Sequence, residues 1–204
     1  MKLRRRSLAI GSLLLLLGVG MAVFLSGRRR HAAEAKRRDA LEYAARWDLE
    51  HGQPAIALEK VNALAQVEPG RAALPGLLGR ALVSTGAPTK GLEHLNQAVA
   101  ANPNDAEAFE FAGIAHAQLG AFKEARLALT RALELEPRRV SAWRRLAQVC
   151  LTSGEDKAAL EAWRQAVESA PAGEREAIRA EARTLLGVAG KPDEANQFES
   201  QERP

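Results

Sequence analysis

The sequence predicts an all-α protein, a solenoid of helix-turn-helix repeats preceded by one transmembrane helix. Three observations carry that prediction. Prolines recur every 34 residues, at Pro69, Pro103, Pro137 and Pro171. Glycines keep the same period at Gly52, Gly86, Gly120 and Gly154, each 17 residues ahead of one of those prolines. Ahead of the repeats, residues 7 to 27 run for 21 positions without a charge. Two residue types sharing one period mark an internal repeat, and a unit of this length is one supersecondary element that must stack on its neighbours to bury its apolar face.

Composition agrees. Of 204 residues, 47% are hydrophobic but only 4% aromatic, which suits a helical core of alanine and leucine. The isoelectric point near 9.6 invites a nucleic-acid reading, yet the charge is unevenly placed. Residues 1 to 30 hold seven of the 29 Lys+Arg and no acid, leaving 22 cations against 25 Asp+Glu, a net charge of −3, in the remainder. The basic character therefore belongs to the N-terminus. Cys150 is the only cysteine, so there is no intramolecular disulfide to report a redox compartment. His31, His51, His94 and His116 lack zinc-ligand spacing, and neither a metal nor a cofactor is expected.

Residues 1 to 6 form a basic tail with Lys2, Arg4, Arg5 and Arg6. A helix over residues 7 to 27 rises 1.5 Å per residue and so matches the ~30 Å hydrocarbon core. The stretch is longer than the usual apolar region of a cleaved signal, and its exit "FLSGRRR" lacks an A-x-A-like site, so an uncleaved signal anchor is expected. A short basic tail is hard to translocate, which places the repeats on the extracytoplasmic side. The cluster Arg28, Arg29, Arg30, Lys36, Arg37 and Arg38 on the other flank points the opposite way. Gly18, Ala22 and Ser26 recur every four residues and offer a stripe for homodimer contact, although small residues are common in membrane helices. Residues 28 to 37 read as a basic helical junction, stiff because no Gly/Ser/Pro linker separates anchor from repeats.

Within each 34-residue period the apolar residues follow helical spacing twice, as in Phe109, Ala112, Gly113 and His116, then Ala125, Leu129, Ala132 and Leu133. Gly120 ends the first helix by taking the left-handed conformation. Pro54, Pro88 and Pro192 each follow a glycine by two residues, where a missing N–H costs least. The period-marking proline then halts the second helix, since its ring lacks a donor and clashes with the preceding turn. Small residues fall where two axes must cross: Ala45, Gly79, Gly113 and Ala147 on first helices, Ala57, Gly91, Ala125 and Ala159 on second ones. Leu41, Phe109 and Trp143 face Val61, Leu95, Leu129 and Trp163 around them, and Pro75 fits only in a first helical turn. The first unit is the least regular, with Asp48 where others place Leu82, His116 and Cys150, and Leu64 where others place alanine.

This pattern of bulky, small, glycine, alanine and terminal proline positions resembles the tetratricopeptide repeat family, whose unit is 34 residues long. The resemblance covers residues 38 to 201 as units 38–70, 71–104, 105–138 and 139–172 and a terminal cap at 173–201. In the cap, Gly190 and Ala195 come two residues late. It implies a right-handed α-solenoid whose first helices line a concave groove. Carried over position by position, the groove residues are Glu42, Arg46 and Leu49, then Gly76, Arg80 and Val83. They continue with Glu110, Ile114 and Ala117, then Arg144, Gln148 and Leu151. The arginines would pair with carboxylates of a bound peptide over an apolar floor of Leu49, Val83, Ile114 and Leu151. The plainer reading is that these are exposed helix residues. Relatives that bind chaperone tails hold the terminal carboxylate with Lys and Asn at positions matching Glu42 and Arg46, and this departure argues against that ligand.

No catalytic constellation stands out. "GAPTK" at 86 to 90 lacks the G-x-x-x-x-G-K-[ST] frame and is accounted for as the turn between two helices. Cys150 and His116 share a repeat position on adjacent first helices, where a packed core side chain is the family norm. Glu134 and Glu136 are two apart on a helix and do not face each other. The sequence therefore points to a non-enzymatic, membrane-anchored scaffold or adaptor that binds a partner protein or peptide to support assembly of a complex. Two alternatives remain: a helical-repeat RNA-binding protein, and a secreted or periplasmic repeat protein released by signal cleavage.

Overall fold

The computed structural model describes the backbone of residues 2 to 192 and the side chains of residue 21 and residues 26 to 192. Among the described residues the chain is helical, with short turns and no strand. The helices are α1 (Lys2–Glu50), α2 (Pro54–Val67), α3 (Leu74–Ser84), α4 (Pro88–Ala101), α5 (Ala106–Gln118), α6 (Phe122–Leu135), α7 (Val140–Thr152), α8 (Asp156–Ser169) and α9 (Arg175–Val188). Each helix packs on the next in order, and first helices also touch along the array, α1 with α3, α3 with α5 and α5 with α7. That contact puts the first helices on the inner wall of a solenoid.

The repeated glycine works as the spacing predicts. Gly120 sits at φ +75°, and Gly52, Gly86, Gly154 and Gly190 hold the same left-handed conformation. The Gly120 N–H bonds the Ala117 carbonyl at 3.0 Å and the Ala121 N–H bonds the His116 carbonyl at 2.9 Å, the paired closure of a Schellman motif. Pro54 and Pro88 open α2 and α4, and Pro75 lies in the first turn of α3. At Pro137 the freed carbonyl finds a donor in the Trp143 indole at 2.8 Å.

Helix crossings are as tight as the small residues require. A Cβ added at Gly91 would lie 3.0 Å from the Gly79 carbonyl oxygen and 2.5 Å from Val83 Cγ2. Ala45, Ala57, Ala125, Ala147 and Ala159 are wholly buried, as are Val61, Leu95, Leu129 and Trp163. The core is a chain of clusters straddling unit boundaries: Leu64 with Leu74 and Leu77, Leu95 and Ala98 with Ala108, Ala132 with Ala142, and Trp163 with Ile178 and Leu186. Each unit thus shares its interior only with its neighbours.

Two features qualify the expectations. Asp48, in the irregular first unit, is buried, with its carboxylate 2.5 Å from the Lys60 ammonium, so an ion pair occupies the place where later units pack a side chain. The backbone of α1 continues unbroken through the basic junction into the first unit. Among the described residues no helix is long and apolar enough to cross a membrane. Most of the expected span at 7 to 27, including Gly18 and Ala22 of the proposed dimer stripe, lies outside the residues whose side chains are described, and Ser26 is exposed.

Candidate functional site

The inner wall holds a cavity of about 690 Å³ that draws residues from the first helices of all four units. Leu49 and Glu50 come from α1, Val83 and Ser84 from α3, Glu110, Phe111 and Ile114 from α5, and Arg144, Arg145 and Gln148 from α7. The solenoid brings them together because first helices lie side by side, so that positions 34 apart fall in pairs: Leu49 with Val83, Glu110 with Arg144, and Ile114 with Gln148. A neighbouring hollow of about 300 Å³ is lined by Arg46, Gly76 and Arg80. Another of about 360 Å³ extends from Ile114 and Gln148 toward Ala117, Phe122 and Val149.

The expected groove residues do not all stand free. Val83 is 1% exposed and belongs to the core cluster with Leu95, and Arg80 and Glu110 are 7% and 3% exposed. This corrects their reading as exposed residues facing a groove: neighbouring helices approach closely enough to cover them. Arg80 Nη1 pairs with Glu107 at 2.8 Å, and its guanidinium carbon lies 5.1 Å from the Phe111 ring centre. Its Nε is buried without a hydrogen-bond acceptor, and burial pulls its pKa below the ordinary arginine value despite Glu107. Leu151 packs toward Trp163 and the cap and lines none of the three hollows.

The arginines expected to meet a ligand's carboxylates already have carboxylates of their own. Arg46 donates to Glu42 at 3.0 Å, and Arg144 pairs with Glu181 of α9, which also accepts from Gln148 at 3.1 Å. Glu42 is further held by Arg71. Burial opposes its ionisation, but hydrogen bonds from Arg71 and Arg46 outweigh that and keep its carboxyl below the usual carboxylate range.

Sequence reasoning missed a second layer of order. Arg71 binds Asp39, Glu42 and Glu68, and Arg139 binds Glu107, Glu110 and Glu136. These sets match residue for residue at a spacing of 68, two units. Each arginine begins a unit and reaches back to the one before. Hydrogen bonds that Arg71 donates to Asp39, Glu68 and Glu42 raise its pKa, and for Arg139 the acceptor Glu110 more than offsets the cost of burial. The signal was present as charges recurring at twice the repeat length. Phe111, Glu107 and Arg145 were missed because the inner wall is wider than the one row of positions carried over.

The remaining candidates have structural places. Cys150 is buried, and burial with the nearby Glu155 pushes its thiol pKa up, Arg126 opposing only in part. Glu134 pairs with Arg131 and Glu136 with Arg139, both exposed. Among the described residues no three metal-ligating side chains cluster.

Paired helices stacked with a fixed period around a shared inner wall define a helical-repeat solenoid, a class built to present surface. The tetratricopeptide repeat model matches residues 44–106, 77–134 and 112–174, well over half the chain, and the chain belongs to that family. Solved structures share the fold. A thermophilic TPR protein of Thermus thermophilus is 19% identical, with a TM-score of 0.67 over 80% of this chain and 89% of that one. Pseudomonas aeruginosa PilF is 19% identical, with a TM-score of 0.62 over 80% and 74%. MamA of Desulfovibrio magneticus RS-1 is 16% identical, with a TM-score of 0.61 over 80% and 92%. No curated protein sequence matches the chain.

Proposed function

We propose that this protein is a membrane-anchored scaffold or adaptor that seats a partner protein segment on its inner wall and so supports assembly of a complex, by binding and not by bond-making. The observation that carries the reading is the 690 Å³ cavity, to which every unit contributes a first-helix position. Leu49, Phe111 and Ile114 supply an apolar surface, ringed by charges of which Glu107, Glu110, Arg139 and Arg144 are already neutralised in pairs, while Glu50 and Arg145 have no ion-pair partner among the described residues. Such a wall favours a segment with an apolar anchor and polar flanks over a strongly charged one. Anchoring rests on the uncharged stretch at 7 to 27. An RNA partner draws little support from the inner wall, because Arg46, Arg80, Arg139 and Arg144 each face a carboxylate of the chain itself and Arg145 is left as a lone cation.

The test is Ile114→Glu combined with Arg145→Glu in the full-length chain, followed by crosslinking in the cells that make it. Both side chains line the cavity without being fully buried, so helix content by circular dichroism should stay unchanged while partner recovery falls at least tenfold. Arg80→Glu is a poor probe, since it would bury a carboxylate against Glu107. Full recovery by the folded double variant would remove the inner wall from the mechanism.

A further inference from the structure

The first unit leaves open a face that every later unit closes. In the repeat, Ala40 corresponds to Leu74, Ala108 and Ala142, which are 3%, 2% and 0% exposed. Trp47 corresponds to Ala81, Ala115 and Val149, which are at most 5% exposed. Those six are covered because the second helix of the preceding unit lies on them, α2 on α3, α4 on α5 and α6 on α7. Nothing among the described residues lies on α1 in that way. Trp47 is 43% exposed and Tyr43 is 72% exposed. A solenoid end ordinarily carries a polar outer face. This one carries two aromatics, and Trp47 is held in place by stacking on His51 at 3.9 Å.

The open face continues along α1 in a regular line. Arg29, Ala33, Lys36, Ala40, Tyr43 and Trp47 alternate steps of four and three residues, the spacing of one seam on a helix that meets another helix. All six are exposed, and neither Arg29 nor Lys36 has an ion-pair partner among the described residues. Ala33 and Ala40 allow close approach. A second copy in parallel register would set Arg29 on Arg29 and Lys36 on Lys36, a like-charge arrangement that opposes pairing.

We propose that this seam receives one amphipathic helix of another protein, docked as the second helix of a missing preceding unit. Its chemistry follows from the surface: carboxylates seven residues apart against Arg29 and Lys36, then small or aliphatic side chains where Ala40, Tyr43 and Trp47 lie. Ala40 and Trp47 occupy repeat positions that line none of the inner-wall hollows in later units except through Ala108 and Val149 at their edges, whereas Tyr43 shares the position of Phe111 and Arg145, so Trp47 is the place to probe this face.

A photoreactive amino acid placed at Trp47 of the full-length chain, in the cells that make it, tests the proposal, with the same probe at exposed Leu127 of α6 as control. The expected result is an adduct from position 47 and none from 127, mapped to a helical segment with acids at the stated spacing. Arg29→Glu with Lys36→Glu should cut its yield about tenfold or more while leaving helix content unchanged. A self-adduct, a lipid adduct, a segment without acids, no adduct above the control, or a yield indifferent to the double variant would each overturn it.

Discussion

The boundary between the third and fourth units and the boundary between the second and third are built on one backbone plan with different fastenings. At the former, Arg139 opens the unit and clamps three carboxylates of the unit before it. At the latter, the same repeat position is Asp105, which turns inward and accepts the Ala108 N–H at 2.9 Å, the one side-chain N-cap among α2 to α9. The residues matching the clamp's carboxylates there are Ala73, Gly76 and Asn102. One boundary is fastened by a partly buried cluster of one arginine and three carboxylates, the other by apolar contact and the single Arg80–Glu107 pair, with a cap opening the new unit. The repeat fixes where helices start and stop but leaves each junction free to choose its fastening.

Leu95→Ala should sharpen that contrast most. Leu95 is wholly buried between α3 of its own unit and α5 of the next, so the change should cost about 2–5 kcal/mol in urea unfolding. A loss well below that range would mean that this apolar cluster does not carry the second and third units. Next comes Arg139→Ala, which leaves the Glu110 carboxylate, 4% exposed, without its cation, and a loss of about 3 kcal/mol is expected. Arg71→Ala should cost less, because Glu42 is more exposed and keeps Arg46. Equal losses at the two clamps would break the argument that burial sets their weight. Asp105→Ala removes only a cap and should cost about 1 kcal/mol.

The smallest effect is one of pH. The Glu42 pKa is depressed in the folded chain, so its contribution is fully present above the unfolded value of about 4.3 and is lost as pH falls through the lower folded value. In that acid window amides of α2 and α3 should lose hydrogen-exchange protection before those of α4 and α5. Simultaneous loss would mean that the first clamp does not set the acid limit.

Helix starts, stops and crossings were legible in the sequence because they depend on backbone demands that few residues meet: a glycine at positive φ, a proline in a first turn, an alanine where two axes touch. The inner wall was legible only in part. Arg46, Ile114 and Gln148 fall where the repeat position puts them, but how deeply Arg80 and Val83 sink depends on the approach of neighbouring helices, which periodicity does not encode. The clamps escaped notice because they need charges read at twice the period, across units and not within one.

The unbroken run of α1 from Lys2 to Glu50 has a mechanical consequence. One continuous rod serves both as the shaft rising from the N-terminus and as the first stave of the concave wall, with no swivel between them. A turn applied at its base would reach the concave wall undamped, so under the proposed function a passenger would be held at a set bearing instead of swinging on a leash.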